Sequence, residues 1–555
     1  MEYADVIIVG AGAAGCVLAS RLSENPALKI VLIEAGQDTV PGNVPSDIRD
    51  AYPVAYSNPS YFWPNLAAIG LAGSEPASFA QARIMGGGSS VMGMWALRGR
   101  AEDYDGWRRM GAVGWGWDDV LPAFKRLESD ADFGGHGHGQ QGPIPIRRHF
   151  REQWPGFTRA FAAAAERYGL PYRQDINTDF ADGVFPIPVT TAHGERVSAP
   201  EGYLGVAVRG RPNLKIMTGA TATRVIMEGR RATGVEIRDS SRSTTVVSAR
   251  RIILSSGAVF SPALLLRSGI GPADELAALG IEPVVDLPVG RNLQNHCVLN
   301  LATPIVRHAR QSKDLNTYAL AGARVSSGMR DAPNGDILIQ LITRTSPHAH
   351  GDRLGIVGTS LYSPASKGRL SLDPSDIAAH PRIDFNILSD PSDKARLASG
   401  IFLTLKLLNE PEVSSLRGGV ATVRPSSMVR RLNRPGAMNR VVSALLAMAF
   451  DAPGSIPDRM LRFAGQELPA DVDMASAEEL LSHVTPIFHP TGTCAMGSAS
   501  DENAVVDPQC RVRGLDRLSV VDASIMPSIP SANTCIPAMM VAEHASRMIL
   551  EQVDT

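Results

Sequence analysis

Apolar residues form short unbroken runs near the start of this chain and looser alternations further on. Val6-Ile7-Ile8-Val9 and Ile30-Val31-Leu32-Ile33 are continuous apolar stretches of strand length, as expected of strands buried on both faces of a parallel sheet. Between them Ala14, Val17, Leu18 and Leu22 recur at helical spacing, so the opening reads as strand, helix, strand. The turn into the helix is Gly10-Ala11-Gly12-Ala13-Ala14-Gly15. In such a loop Gly10 makes the tight turn, Gly12 admits a pyrophosphate to the backbone and Gly15 lets the helix pack on the strand. Glu34 ends the second strand, where a carboxylate can accept hydrogen bonds from an adenosine ribose. The pattern predicts a dinucleotide site and leaves NAD and FAD both open.

Further along, Asp336-Ile337-Leu338-Ile339-Gln340-Leu341 and Pro381-Arg382-Ile383-Asp384-Phe385 read as strands of a mixed sheet. The stretch from Gly257 to Gly271 reads as a turn and a short helix ended by glycine. The arginine-rich stretch 424–440 runs into apolar residues 441–450, which are too few to span a membrane. They read as a buried helix with a solvated basic approach, in preference to a segment lying on a membrane surface.

At 555 residues the chain exceeds what one hydrophobic core accommodates, so two domains are expected. A formal net charge of −2 offers nucleic acid no electrostatic footprint. The opening residues leave no room for a secretory leader ahead of the first strand. Five cysteines without CxxC spacing suit reduced thiols, and together these features predict a cytoplasmic protein. His136 and His138 stand in Gly134-Gly135-His136-Gly137-His138-Gly139, which reads as a solvated hinge, and no metal is predicted.

Four more segments complete the pattern. They are Met85-Gly86-Gly87-Gly88-Ser89-Ser90-Val91-Met92-Gly93-Met94, Gly257-Ala258-Val259-Phe260-Ser261-Pro262, Gly290-Arg291-Asn292-Leu293-Gln294-Asn295-His296, and a C-terminal group. The last comprises His489-Pro490-Thr491-Gly492-Thr493, Val521-Asp522-Ala523-Ser524 and Ser531-Ala532-Asn533-Thr534. In this order the chain resembles the glucose-methanol-choline oxidoreductases, FAD enzymes that oxidise alcohols, over essentially its whole length. Phe62-Trp63-Pro64-Asn65 and the glycine-serine segment bring it nearest to hydroxymethylfurfural oxidases and aryl-alcohol oxidases.

The resemblance implies an α/β fold with a Rossmann-like FAD-binding domain from 1–150, 195–296 and 475–555. A mixed-sheet, α+β substrate-binding domain would come from 151–194 and 297–474. Ala13, Ala14, Gly15, Glu34 and Ala35 would hold the adenosine diphosphate, and Val225 would touch adenine through its backbone. Trp63, Met85, Gly87, Ser89, Val91, Met92, Gly93, Met94 and Gly257 would lie along the rest of the cofactor, with Phe488, Asp522, Ala523, Asn533 and Thr534. Val91 replaces a histidine that some family members link covalently to flavin, which implies non-covalent FAD. Met92 replaces a usual asparagine and cannot donate a hydrogen bond. A helix start near Pro537 would favour negative charge on the reduced flavin.

His489 resembles the family's active-site histidine, and its unperturbed pKa near 6.5 suits a general base. Asn533 resembles the second active-site position, where an amide can hold the substrate oxygen but does not titrate. Trp95 and Phe488 would wall the pocket for a flat substrate. The implied activity is oxidation of a primary, aromatic or benzylic-type alcohol, with electrons passed to O2 or to a quinone or other acceptor. A hydroxynitrile lyase of the same fold, a quinone-linked aliphatic or polyol dehydrogenase and an NAD enzyme are the rival readings. A monomer or a homodimer is expected, and the 424–450 stretch is open to roles as lid, dimer contact or docking surface.

Overall fold

The long strand Thr244–Leu254 joins the two halves of the first large sheet. Its second half pairs in parallel with Tyr3–Val9, which pairs with Ile30–Ile33 and through it with Leu214–Met217. Its first half pairs antiparallel with Arg231–Arg238, which continues to Thr221–Glu228, while Leu518–Val520 adds in parallel at Ile252 to Leu254. The computed structural model describes residues 3–424, 427–462, 465–469 and 473–553, so 425 and 426 of the arginine-rich stretch lie outside it. The two apolar runs at the start of the chain are buried over their whole length, as their pattern requires of interior parallel strands.

The helix Ala13–Leu22 covers this sheet and packs on Cys535–Val553 near the opposite end of the chain. Glu543 of the latter is buried, and its carboxylate accepts hydrogen bonds from Arg21, Arg126 and Tyr203. One buried carboxylate thereby ties three distant stretches together. The charge is admissible in the core only because two guanidiniums and a phenol surround it.

The second large sheet runs in the order Ala421–Val423, Cys297–Pro304, Leu354–Leu361, Ile337–Ile342, Ala319–Val325 and Gly183–Pro186, with Thr485–Pro486 also on Cys297–Pro304. Each of its described pairings is antiparallel, a narrower arrangement than the mixed sheet read from alternation. The other alternating stretch is a strand, Arg382–Ile387, but it belongs elsewhere. It pairs in parallel with Ala67–Leu71 and antiparallel with Arg369–Ser371 in a separate four-stranded sheet.

Two expectations are corrected. His138 is not on a solvated hinge: it is buried, with Nδ1 3.0 Å from Asp130 and Nε2 2.8 Å from Asp175. Glu128, Asp130 and His138 have the spacing of a metal site, but Arg98 already pairs with Glu128 and Arg148 with Asp130, so the group is an ion-pair cluster. The apolar run 441–450 is helical within Ala437–Asp451, yet Val441, Leu445 and Met448 face outward and are exposed. Ser443 and Ala447 are buried, and Val442, Leu446 and Phe450 are half-buried.

Burial alone would pull the His138 imidazole down, but hydrogen bonds to Asp130, Asp175 and Glu128 push it up to about 10. A pKa raised on folding stabilises fully below the unfolded value near 6.5 and loses that contribution as pH rises through the folded value. The melting-temperature gap between the wild-type protein and His138→Gln is therefore expected to narrow between pH 6.5 and pH 10, checked by thermal denaturation across that range.

Candidate active site

The parallel strands of the first sheet end at Val9, Ile33 and Leu254, and the turns that follow open onto a cavity of about 1160 Å³. Its floor is glycine-rich backbone. Gly10 and Gly12 lead into the helix Ala13–Leu22, whose N-cap Gly12 has no side chain to satisfy the first-turn amides. Those open N–H groups and the helix dipole make an anion site facing the cavity. From the other side the Gly86 amide donates to the Ala11 carbonyl at 2.6 Å. Gly87 has φ +53°, and a Cβ there would stand 3.2 Å from the Gly12 Cα. A backbone cradle of this kind, at the start of a helix and beside an acid, fits the diphosphate and ribose of a dinucleotide.

Glu34 lies on the cavity wall with both oxygens engaged: Oε2 accepts from the Ala11 amide at 2.9 Å and Oε1 from the Gly36 amide at 2.8 Å. It therefore shapes the loop as well as facing the cavity. Asp522 behaves alike, since its carboxylate accepts from the Gly257 amide, Ser261 and Ser524, tying the last strand's exit to the 257 turn. Ala13, Ala14, Ala35, Trp63, Gly257 and Ala523 also line the cavity, as do Gly87, Ser89, Met92, Gly93 and Met94.

Gly15, Met85, Val91 and Val225 stand behind the wall. A Cβ on Gly15 would come within 1.9 Å of the Gly10 carbonyl oxygen, so this glycine serves helix-to-strand packing. The Met85 side chain is in the core, and Val91 is buried in an apolar cluster with Ile84 and Phe62. The Val225 amide donates to Ser268 Oγ and its side chain is buried, while Thr221, Ala222, Thr223 and Arg224 of the same strand line the cavity.

At the far end His489, Asn533 and Thr534 come together with Phe488 and Trp95. The Tyr362 hydroxyl donates to Asn533 Oδ1 at 3.0 Å, and Asn533 Nδ2 lies 3.1 Å from His489 Nε2. His489 Nδ1 lies 3.0 Å from His296 Nδ1. With the amide oriented this way, Nδ2 donates to a bare His489 Nε2, so the His489 proton sits on Nδ1 and is donated to His296. Burial pushes the His489 pKa down to about 3, and burial with the neighbouring His489 holds His296 well below the ordinary histidine value. Both shifts favour neutral imidazoles, and the Nε2 lone pair of His489 faces the Asn533 amide that occupies it.

His296 lies in the 290–296 segment, which carries no role in the sequence, and neither Tyr362 nor Tyr318 stands in a motif. His296 is completely buried and stacked on the Tyr362 ring, with centroids 4.2 Å apart. Tyr362 follows the strand Leu354–Leu361, and no local motif marks it. Tyr318 stacks on Trp95 at 5.9 Å, and a Cβ on Gly93 would strike its hydroxyl. Tyr56 packs on Phe488 at 5.6 Å, so aromatic faces surround the histidine end of the cavity.

The GMC oxidoreductase family is matched twice, over residues 4–298 and 364–542. The 5-(hydroxymethyl)furfural oxidase of Methylovorus sp. (strain MP688) is 38% identical over 99% of both chains. The alcohol dehydrogenase [acceptor] of Pseudomonas putida is 32% identical, covering 99% of this chain and 96% of that one. Among solved structures, pyridoxine 4-oxidase from Mesorbium loti superposes with a TM-score of 0.80 at 29% identity over 99% of each chain.

Glu34→Ala would leave the Ala11 and Gly36 amides without their acceptor. At about 1–3 kcal/mol for each buried unsatisfied donor, the variant is expected to melt measurably lower than wild type even when stripped of cofactor, as read by calorimetry.

Proposed function

Because the chain belongs to the GMC oxidoreductase family, a family of FAD-dependent alcohol oxidoreductases, we propose that it oxidises primary aromatic or benzylic-type alcohols to aldehydes with His489 as the base. The observation that carries this reading is the hydrogen-bonded line Tyr362, Asn533, His489 and His296 at the aromatic end of a cavity that begins at the glycine cradle. We assign the first sheet to the FAD-binding domain, built from 1–150, 195–296 and 475–555, and the antiparallel sheet to the substrate-binding domain, built from 151–194 and 297–474. The strand pair Ala67–Leu71 and Arg382–Ile387 crosses between them.

FAD, when bound, accepts the hydride from the carbinol carbon. The residues of this chain do the rest. The Asn533 amide gives up His489 Nε2 for the substrate oxygen, and the freed Nε2 takes the hydroxyl proton as the carbonyl forms. His296 accepts from Nδ1 and so keeps the His489 lone pair on Nε2, a positioning role that does not require contact with substrate. Tyr56, Trp95, Tyr318 and Phe488 present ring faces suited to a flat substrate. Val91 offers no nucleophile and is buried behind the wall, which supports non-covalent FAD. The hydroxymethylfurfural-oxidising relative supports a furanic or benzylic substrate and O2 as acceptor, and the acceptor-linked alcohol dehydrogenase supports another acceptor.

Anaerobic flavin reduction tests the reading. Benzylic and furanic alcohols are expected to reduce the flavin faster than aliphatic ones of equal size, and equal rates would sink the aromatic assignment. His489→Ala is expected to slow reduction by about a hundred- to ten-thousand-fold, the span typical of a lost general base. A depressed pKa keeps the base competent as pH falls, so the acid limb of the wild-type profile should lie below 6.5. His296→Ala removes the acceptor that sets the tautomer, at about fivefold in rate for one net hydrogen bond. Its signature is an acid limb displaced upward as water reaches His489, whereas a wild-type profile in that variant would reduce His296 to packing.

A further inference from the structure

The helix Ala437–Asp451 is apolar toward solvent as well as toward the fold. Ser443 and Ala447 are buried, while Met438, Val441, Leu445 and Met448 are 74%, 58%, 60% and 70% exposed. Spacings of three and four residues put these four side chains on one stripe. From 427 to 450 the sequence holds Arg430, Arg431, Arg434 and Arg440 and no carboxylate. Asp451, which ends the helix, is paired with Arg310 and Arg353. Arg430 and Arg434 bond the Tyr56 and Ser57 carbonyls; Arg430 is half-buried, whereas Arg431, Arg434 and Arg440 are exposed. The Arg431 carbonyl accepts from Asn439, which holds the short helix Ser427–Leu432 against the long one.

We propose that this face docks the protein on the surface of an anionic phospholipid bilayer. Among the described residues no helix is long and apolar enough to cross a membrane, so the stripe would lie in the headgroup and acyl boundary with its arginines on lipid phosphates. Charge decides between lipid and a second copy of the chain. Twofold pairing through the stripe would bring two segments together that each hold four arginines and no carboxylate, whereas anionic headgroups neutralise that charge. Arg430 lies over the ring of Tyr56, which lines the cavity, so docking would bring that wall close to the lipid.

The test is co-sedimentation of the full-length holoenzyme with vesicles of phosphatidylcholine alone or mixed with phosphatidylglycerol, at low and high salt. Binding is expected only to the mixed vesicles, with release by salt. The Val441→Asp, Leu445→Asp double variant should abolish it, and Arg431→Gln and Arg440→Gln should each weaken it about fivefold, the worth of one basic residue near an anionic surface. All these variants should keep wild-type flavin reduction, because none of the substituted residues lines the cavity. Failure to bind anionic vesicles, or binding that survives the aspartate pair, overturns the proposal. A concentration-dependent dimer broken by the same pair, without vesicle binding, would give the face to a second copy.

Discussion

Two loops meeting without side chains are the constraint on which the rest of the cavity depends. The 10–15 loop and the 86–88 loop come from strands and turns that share no local sequence, yet their backbones touch through the Gly86 amide and the Ala11 carbonyl. Any side chain at Gly87 would press on Gly12 and strain the backbone there, where φ is +53°. Glu34 then fixes the lip of the first loop from below. The same backbone surface thus closes one end of the cavity and presents uncapped amides to it, so loop geometry and the anion site are one property.

At the other end the chemistry depends on exclusion of water. Tyr362, Asn533, His489 and His296 come from four separate stretches, and each hydrogen bond sets the direction of the next. Burial favours a neutral His489 imidazole, with Nδ1 turned to His296 and Nε2 to the Asn533 amide. The cost of desolvating two histidines is offset by their bond to each other and by the stacking of His296 on Tyr362.

The legible parts of the molecule were those written in contiguous residues. The buried runs 6–9 and 30–33, the glycine loop and Glu34 announced the opening unit, and the histidine and asparagine segments announced the two groups that meet across the cavity. Illegible were the features made by packing between distant stretches. His138 sits among glycines that suggest solvent, but carboxylates from two other segments bury and charge it. Alternation identified Arg382–Ile387 as a strand and could not name its partner, because register and sheet membership are settled by tertiary contacts. The 441–450 run shows the opposite failure. Its apolar content predicts an interior on every side, and the fold covers only one, leaving Val441, Leu445 and Met448 exposed.

The grip of Glu543 on Arg21, and the pairing of Val6 to Val9 with a strand some two hundred and forty residues later, also govern how the molecule can be made. During synthesis Tyr3–Val9 and Ile30–Ile33 emerge close together, but their outer neighbours Leu214–Met217 and Thr244–Leu254 follow about two hundred residues later, and the covering helix Cys535–Val553 later still. These apolar strands can be flanked on both sides only once Thr244–Leu254 has emerged, and covered only once Cys535–Val553 has. The part of the fold most plainly encoded is therefore among the last to be completed.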